Sequence, residues 1–261
     1  MSSRGRRAGA LILLALLAGA GAAEAVVVQG GGVRITVLSQ VKPYKLPRQK
    51  PAPIAVFVAG HLASAMGGIP PQLQRLRIEV NRHGLLQSRG LPVCHPSQVQ
   101  ATTTRQALAN CAPALIGSGQ FWAHIVLPEQ GDYPTKGRLL IFNGRRDGRP
   151  VLLAQVYSSH PFDSSFLIDF SIHHIHRGPY GTELAASLPE SLGSWGYLDR
   201  IKLTLRREYT YKGRKLSYFN AACPAPAEAR RASFPLAHVS FEFAGKKAIG
   251  GVVRKTCGVR E

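Results

Sequence analysis

Acidic side chains are scarce. Fourteen Asp+Glu face 33 Lys+Arg in 261 residues, a formal net charge of +19. The carboxylates stand singly, so no pair suited to acid/base work on a glycosidic bond can be picked out. Long apolar runs are also missing beyond one N-terminal stretch, which excludes a polytopic helical membrane protein. No His-Glu-x-x-His, phosphate-binding loop or dinucleotide glycine signature occurs, and Leu192-Gly193-Ser194-Trp195-Gly196 lacks the spacing of a nucleophile elbow. Internal repeats and long low-complexity tracts are absent. A hydrophobic fraction of 45%, with glycine and proline dispersed, excludes a disordered or collagen-like chain.

The one long apolar run reads as an address. Arg4, Arg6 and Arg7 precede Ala8 to Ala18, and small residues follow. Cleavage is expected after Ala25, in Ala23-Glu24-Ala25, with Ala22 as the alternative site, which makes residues 1–25 a secretory signal peptide. Once it is cleaved, no transmembrane span is expected. Losing three arginines and Glu24 leaves 30 Lys+Arg against 13 Asp+Glu, a net of +17. Such a surface attracts polyanions. For a secreted or extracytoplasmic protein these are anionic envelope polymers or lipid headgroups, with nucleic acid held only non-specifically.

Four cysteines, Cys94, Cys111, Cys223 and Cys257, all lie beyond the signal. An even number in an exported chain points to disulfides, and three pairings are open. Cys94–Cys111 and Cys223–Cys257 are expected, because each pair brackets one compact segment. Neither a Cys-x-x-Cys knuckle nor any cofactor signature is present.

Residues 26–53 read as an N-terminal strand, Val33 to Val41, followed by a proline-rich basic connector, Lys42 to Pro53. Residues 54–261 read as one mainly β domain. Leu76, Ile78 and Val80 alternate with charged residues, and glycine-containing turns recur, notably Asn143-Gly144, Asp147-Gly148 and Lys212-Gly213. Ile201 to Tyr211 is expected to be one strand, with Ile201, Leu203, Leu205, Tyr209 and Tyr211 on one face. Phe121 to Leu127 is another strand. One short helix is expected from Ser97 to Asn110. The fold expectation is an antiparallel sandwich or a strongly curved, partly closed sheet of about ten strands.

Candidate chemistry is thin. His174 and His176 share a strand face and could present two imidazoles to a metal, with His160 or Asp169 as third ligand and His173 pointing away. No metal is favoured, because the same face continues the apolar positions Phe166, Ile168, Phe170 and Ile172. His160 to Ser165 gathers histidine, aspartate and serine in a proline-initiated loop, which is not a triad by sequence adjacency. Tyr209, Tyr211, Arg206 and Arg207, with Tyr218, Phe219 and Tyr44 nearby, could form a binding groove, although alternating aromatics in strands usually pack. Glu79 and Glu208 are expected in surface ion pairs.

The runs Arg89-Gly90-Leu91-Pro92-Val93-Cys94, Leu115-Ile116-Gly117-Ser118-Gly119, Leu140-Ile141-Phe142-Asn143-Gly144 and Ala221-Ala222-Cys223-Pro224-Ala225-Pro226 resemble an uncharacterised family of exported four-cysteine proteins of high-GC soil actinobacteria. The resemblance covers residues 70–257. It implies export and the four-cysteine plan, and it brings no activity, ligand or catalytic residue. Three functional readings follow. The favoured one is a non-catalytic binder of an anionic or amphiphilic envelope component. The others are a secreted hydrolase with an unidentified site and a carrier of an apolar ligand within a curved sheet. Mass spectrometry of the exported protein should find the chain beginning at Val26 or Ala23; a chain retaining Met1 would contradict cleavage.

Overall fold

The computed structural model describes residues 24–126, 131–188, 196–245 and 247–260. Most of the expected signal peptide, Leu127 and the segment Leu192 to Trp195 lie outside them. β1 (Glu24–Gly30) and β2 (Val33–Lys42) form a hairpin. The short β3 (Lys45–Leu46) and β4 (Ala52–Pro53) precede β5 (Ala55–Ser64), β6 (Leu73–Asn81) and β7 (Gly84–Leu86). Helices α1 (Pro96–Val99) and α2 (Thr104–Cys111) lead into β8 (Leu115–Val126). Five long strands follow: β9 (Asp132–Arg146), β10 (Arg149–Ser158), β11 (Ser164–Arg177), β12 (Tyr180–Ser187) and β13 (Gly196–Leu205). β14 (Glu208–Tyr211), β15 (Arg214–Ser217) and β16 (Phe219–Ala221) are short, and β17 (Arg231–Phe243) and β18 (Lys247–Val259) complete the order.

Thirteen strands make one sheet, in the order β1-β2-β5-β13-β8-β9-β10-β11-β12-β6-β17-β18-β3. Every pairing is antiparallel except β18 with the two-residue β3. Open twisted sheets seldom exceed about ten strands without curling. This one curls into a half-barrel, the curved-sheet alternative of the sequence expectation. Val26 and Val28 of β1 lie against β18, where a Cβ on Gly251 would stand 2.7 Å from Val28. Ile35 and Leu62 meet Phe243 and Ile249 in one cluster, joining opposite sides of the sheet.

The alternation of side chains settles which face is which. Leu139 and Ile141 of β9, Leu152 and Ala154 of β10, Ile168 and Phe170 of β11 and Leu203 and Leu205 of β13 share the inner face. The small sheet β4-β16-β7 stops one end of that interior, with Tyr218 and Phe219 buried against it. The intervening residues of β9 and β10, Leu140, Phe142, Val151 and Leu153, form a second cluster on the outer face beneath α2. Toward the other end the inner face is less tightly sealed: Val58, Ile201, Phe166, Ile168 and Leu184 are only half-buried.

Several local readings change. The single helix breaks in two, because Ala101 takes a φ of 54° and Thr103 begins α2 with its hydroxyl accepting from the Gln106 amide. The strand expected over Ile201 to Tyr211 ends at Leu205. The Arg206 amide then donates to Ile116, and β14 turns away into a separate hairpin. The turn between β9 and β10 is Asp147-Gly148, with φ of 49° and 75°, the positive pair a tight hairpin needs. Asn143-Gly144 lies inside β9, where Asn143 donates to the Pro92 carbonyl. Residues 26–53 are woven into the same architecture: β2 pairs along its whole length with β5, and β3 and β4 pair with β18 and β16.

Both expected disulfides are present, Cys94–Cys111 across 17 residues and Cys223–Cys257 across 34. Such bridges belong to oxidising compartments and are consistent with an extracytoplasmic protein. Cys94–Cys111 ties α2 to the outer face, and Cys223–Cys257 ties the stopper to β18. On the chain-entropy relation, replacing Cys223 and Cys257 by alanine should cost about 4 kcal/mol and the 94–111 pair about 3 kcal/mol. Urea denaturation of each double variant would measure this; unchanged midpoints would contradict it.

Candidate functional site

The outer face of β2, β5, β13, β8 and β9 holds an open depression of about 520 Å³. Register sets the composition of this face, whose second and third rows line the depression and whose first row borders it. Pairing aligns Thr36, His61, Arg200, Trp122 and Lys136 in one row across the five strands. The next row is Leu38, Ala59, Lys202, Gln120 and Arg138, and the third is Gln40, Phe57, Thr204, Ser118 and Leu140. Small side chains, Ala59, Ser118 and Thr204, make the floor. Longer ones, Leu38, Phe57, Gln120, Lys202 and Arg138, make the walls.

Charge in these rows has one sign. Arg200, Lys202, Lys136 and Arg138 are exposed, and Lys42 joins them beside Phe57. Strand spacing and rise place neighbouring cations about 7 Å apart along a strand and about 10 Å apart two strands over. No carboxylate occurs in the rows. The nearest described acid, Asp199, sits at the bulge in β13, 3.1 Å from His61 and 3.9 Å from Arg200. Among the described residues no ion pair neutralises Lys42, Lys136, Arg138 or Lys202.

Two rings hold cations in place. The Arg200 guanidinium and the Lys202 ammonium lie 5.8 and 5.7 Å from the Trp122 ring centre, and Lys42 lies 5.5 Å from that of Phe57. Each such contact contributes about 0.5–1 kcal/mol at an exposed site. With both cations over it, Trp122 orients charge.

Beyond the Trp122 row on the same face, His124 and Tyr197 stack with ring centres 4.8 Å apart. The Tyr197 hydroxyl donates to Asp132 at 2.9 Å, and His124 Nδ1 is 2.9 Å from the same carboxylate. The donated hydrogen bond from Tyr197, with help from His124, holds the Asp132 carboxyl below its ordinary value. Burial and the same contact push the Tyr197 phenol up to about 12.

The residues singled out in the sequence are dispersed. His174 and His176 are exposed at the far end of β11, whereas His160 precedes its beginning. Ten residues of strand separate Ser164 from His174, about 33 Å. Asp169 faces outward and pairs with Arg146 at 2.6 Å; burial raises its carboxyl while Arg146 opposes the shift. His173 contacts Ser171. Among the described residues, no three His, Cys, Asp or Glu side chains gather around a metal-sized space. In the loop after β10, Asp163 accepts from the Tyr157 hydroxyl and Ser164 donates to the Phe162 carbonyl, so neither faces His160 as a triad would require.

The tyrosine group is engaged in packing. Tyr209 donates to the carbonyls of Gln87 and Arg89, and the Tyr211 ring fills the space above Gly90. Arg206 pairs with Glu208 at 3.0 Å, and Arg207 donates to the Pro113 carbonyl. Glu208 is thus in the surface pair expected of it. Glu79 is not on a wet face: it is buried and bonds Arg177 and His238, each at 2.8 Å. The bulged end of β11 brings Arg177 over it.

Trp122, Phe57, Lys136, Arg138, Arg200 and Lys202 were not singled out in the sequence. Their only local signal is alternation, Arg200-x-Lys202 and Lys136-x-Arg138, which is equally the pattern of a solvated strand. No protein-family profile, curated protein or solved structure matches this chain.

Asp132 links β9 to β13, so its loss should be felt at neutral pH. Its folded value is depressed, so its contribution is present above the ordinary value of 3.8 and disappears as pH falls through the lower folded value. Asp132→Asn should therefore be less stable than the parent at pH 7, and the two should converge in acid below pH 3.8. Denaturant titrations across pH would show it; a constant difference would contradict the linkage.

Proposed function

We propose that this is a non-catalytic exported protein that binds an extended anionic polymer of the cell envelope along the outer-face groove. The observation that carries the reading is the set of register rows: four exposed cations and Lys42 on one sheet face, spaced at polymer-like intervals, with no acid among them. Two cations are held over Trp122, so less side-chain freedom is lost when an anion arrives. A five-strand groove is about 20 Å across, which suits several repeats of a chain carrying phosphate or carboxylate groups. Lys42, Lys136, Arg138 and Lys202 have no carboxylate partner among the described residues, so at these four a polyanion would displace only water and counterions.

Catalysis is not part of the reading. No described nucleophile and base face one another in the groove, and the His124–Asp132 contact has no described serine or cysteine beside it. Binding should be charge-driven and strongest at low salt. Titration with polyphosphate and with a carboxylate polysaccharide, followed by calorimetry, should show saturable binding that weakens steeply as salt is added. The double variant Lys202→Ala/Arg138→Ala should lose about tenfold in affinity, and Trp122→Ala about fivefold, the equivalent of about 1 kcal/mol of cation–ring contact. Parent-like affinity in both variants would reject the groove as the site. No binding by the parent, even at low salt, would reject the function.

A further inference from the structure

The end of the half-barrel closed by β4-β16-β7 is a second surface. In that small sheet Phe219, Ala221 and Leu86 pack inward, so alternation turns the row Leu85, Asn220 and Pro53 outward. The row carries no charge, and Leu85 is 46% exposed in it.

Cations border this row on three sides, each group tied to the stopper. The connection after β7 runs to Cys94, whose carbonyl accepts from the Arg145 amide, and Arg149 follows across the β9–β10 turn. The Tyr209 hydroxyl donates to the Gln87 and Arg89 carbonyls, and the β14–β15 hairpin beyond it carries Lys212 and Arg214. Cys223 is bonded to Cys257 of β18, beside which Arg231 pairs with Gly258 and Arg230 stands just ahead of it. All six cations are exposed, and none forms an ion pair among the described residues. Acids are few here. Glu208 is paired with Arg206 at 3.0 Å and Glu79 is buried under Arg177, which leaves Asp147 and Glu228 as the described carboxylates facing those six.

We propose that this end docks on an anionic lipid bilayer, with Leu85 at the headgroup boundary and the cationic rim against the headgroups. The layout favours a bilayer over a linear polyanion. β10 and β17 are four strands apart, about 19 Å along the sheet, and the β14–β15 hairpin stands apart from both. The cations therefore border an area, not a track. A plane of anionic headgroups meets all three groups at once, whereas a polymer lying along one group leaves the others unmatched. The exposed leucine inside the rim gains from the apolar layer beneath the headgroups and gains nothing from a phosphate polymer. This surface is separate from the outer-face rows, and the inference does not rest on the proposed function.

Flotation with vesicles of equal parts phosphatidylcholine and phosphatidylglycerol tests it. The parent should float with these vesicles, should stay behind with phosphatidylcholine alone, and should be released progressively by salt. Arg149→Gln/Lys212→Gln/Arg231→Gln takes one exposed cation from each group. It should keep the parent's melting temperature and lose vesicle binding by about tenfold or more. Leu85→Ser should weaken vesicle binding about fivefold while leaving polyphosphate affinity at the parent's value. Lys202→Ala/Arg138→Ala should float like the parent. Absence of parent binding, equal binding to phosphatidylcholine alone, or undiminished binding by the charge variant would each overturn the proposal. Parent-like flotation of Leu85→Ser, with the charge variant losing polyphosphate and vesicles alike, would overturn it in favour of a polymer partner.

Discussion

A sheet of thirteen strands with an apolar face has to turn that face on itself. Its strands present alternate residues to one side, and those residues are mostly Val, Ile, Leu and Phe on β2, β5, β13, β9, β10 and β11. Curling joins the two sides of the sheet where Val26 and Val28 meet Gly251 and where Ile35 and Leu62 meet Phe243. The inward approach of β1 to β18 requires a residue without a side chain, since a Cβ at Gly251 would overlap Val28. The Tyr218–Phe219 stopper and its disulfide then seal one end of the interior.

The same alternation governs the outer face. Once Ile201, Leu203 and Leu205 are directed inward, Arg200, Lys202 and Thr204 have nowhere to go but outward, and the neighbouring strands place Trp122, Lys136 and Arg138 beside them. A one-residue slip in the β13–β8 pairing would send the cations inward and the leucines into water, so hydrophobic burial itself enforces the arrangement of charge. The α1–α2 unit covers Leu140 and Phe142 but stops short of the cationic rows. Polar groove and apolar interior are two consequences of one register.

Sequence reasoning captured what is local. The hairpins with positive-φ turns, the alternation of Ile201, Leu203 and Leu205, the curved-sheet class and both cysteine pairs were legible because each depends on residues near one another in the chain or bracketing one segment. The break after Leu205 was not, because it is imposed by Ile116 and Pro113, nearly a hundred residues earlier, accepting from Arg206 and Arg207. Strand β1 was obscured because its first two residues, Glu24 and Ala25, fell within the expected signal segment. Glu79 looked solvated because the residues that cover it, Arg177 and His238, come from β11 and β17. The groove was invisible for the same reason: its rings and cations lie on β5, β13, β8 and β9, and only their pairing makes them neighbours.

Trp122 gives the most direct view of the central claim that register builds an anion-binding face. It and Trp195 are the two tryptophans of the chain. Titrating polyphosphate into Trp195→Phe protein should change the remaining indole emission saturably, and added salt should reverse the change. An emission that stays constant while the polymer binds would place the contact elsewhere and contradict the account.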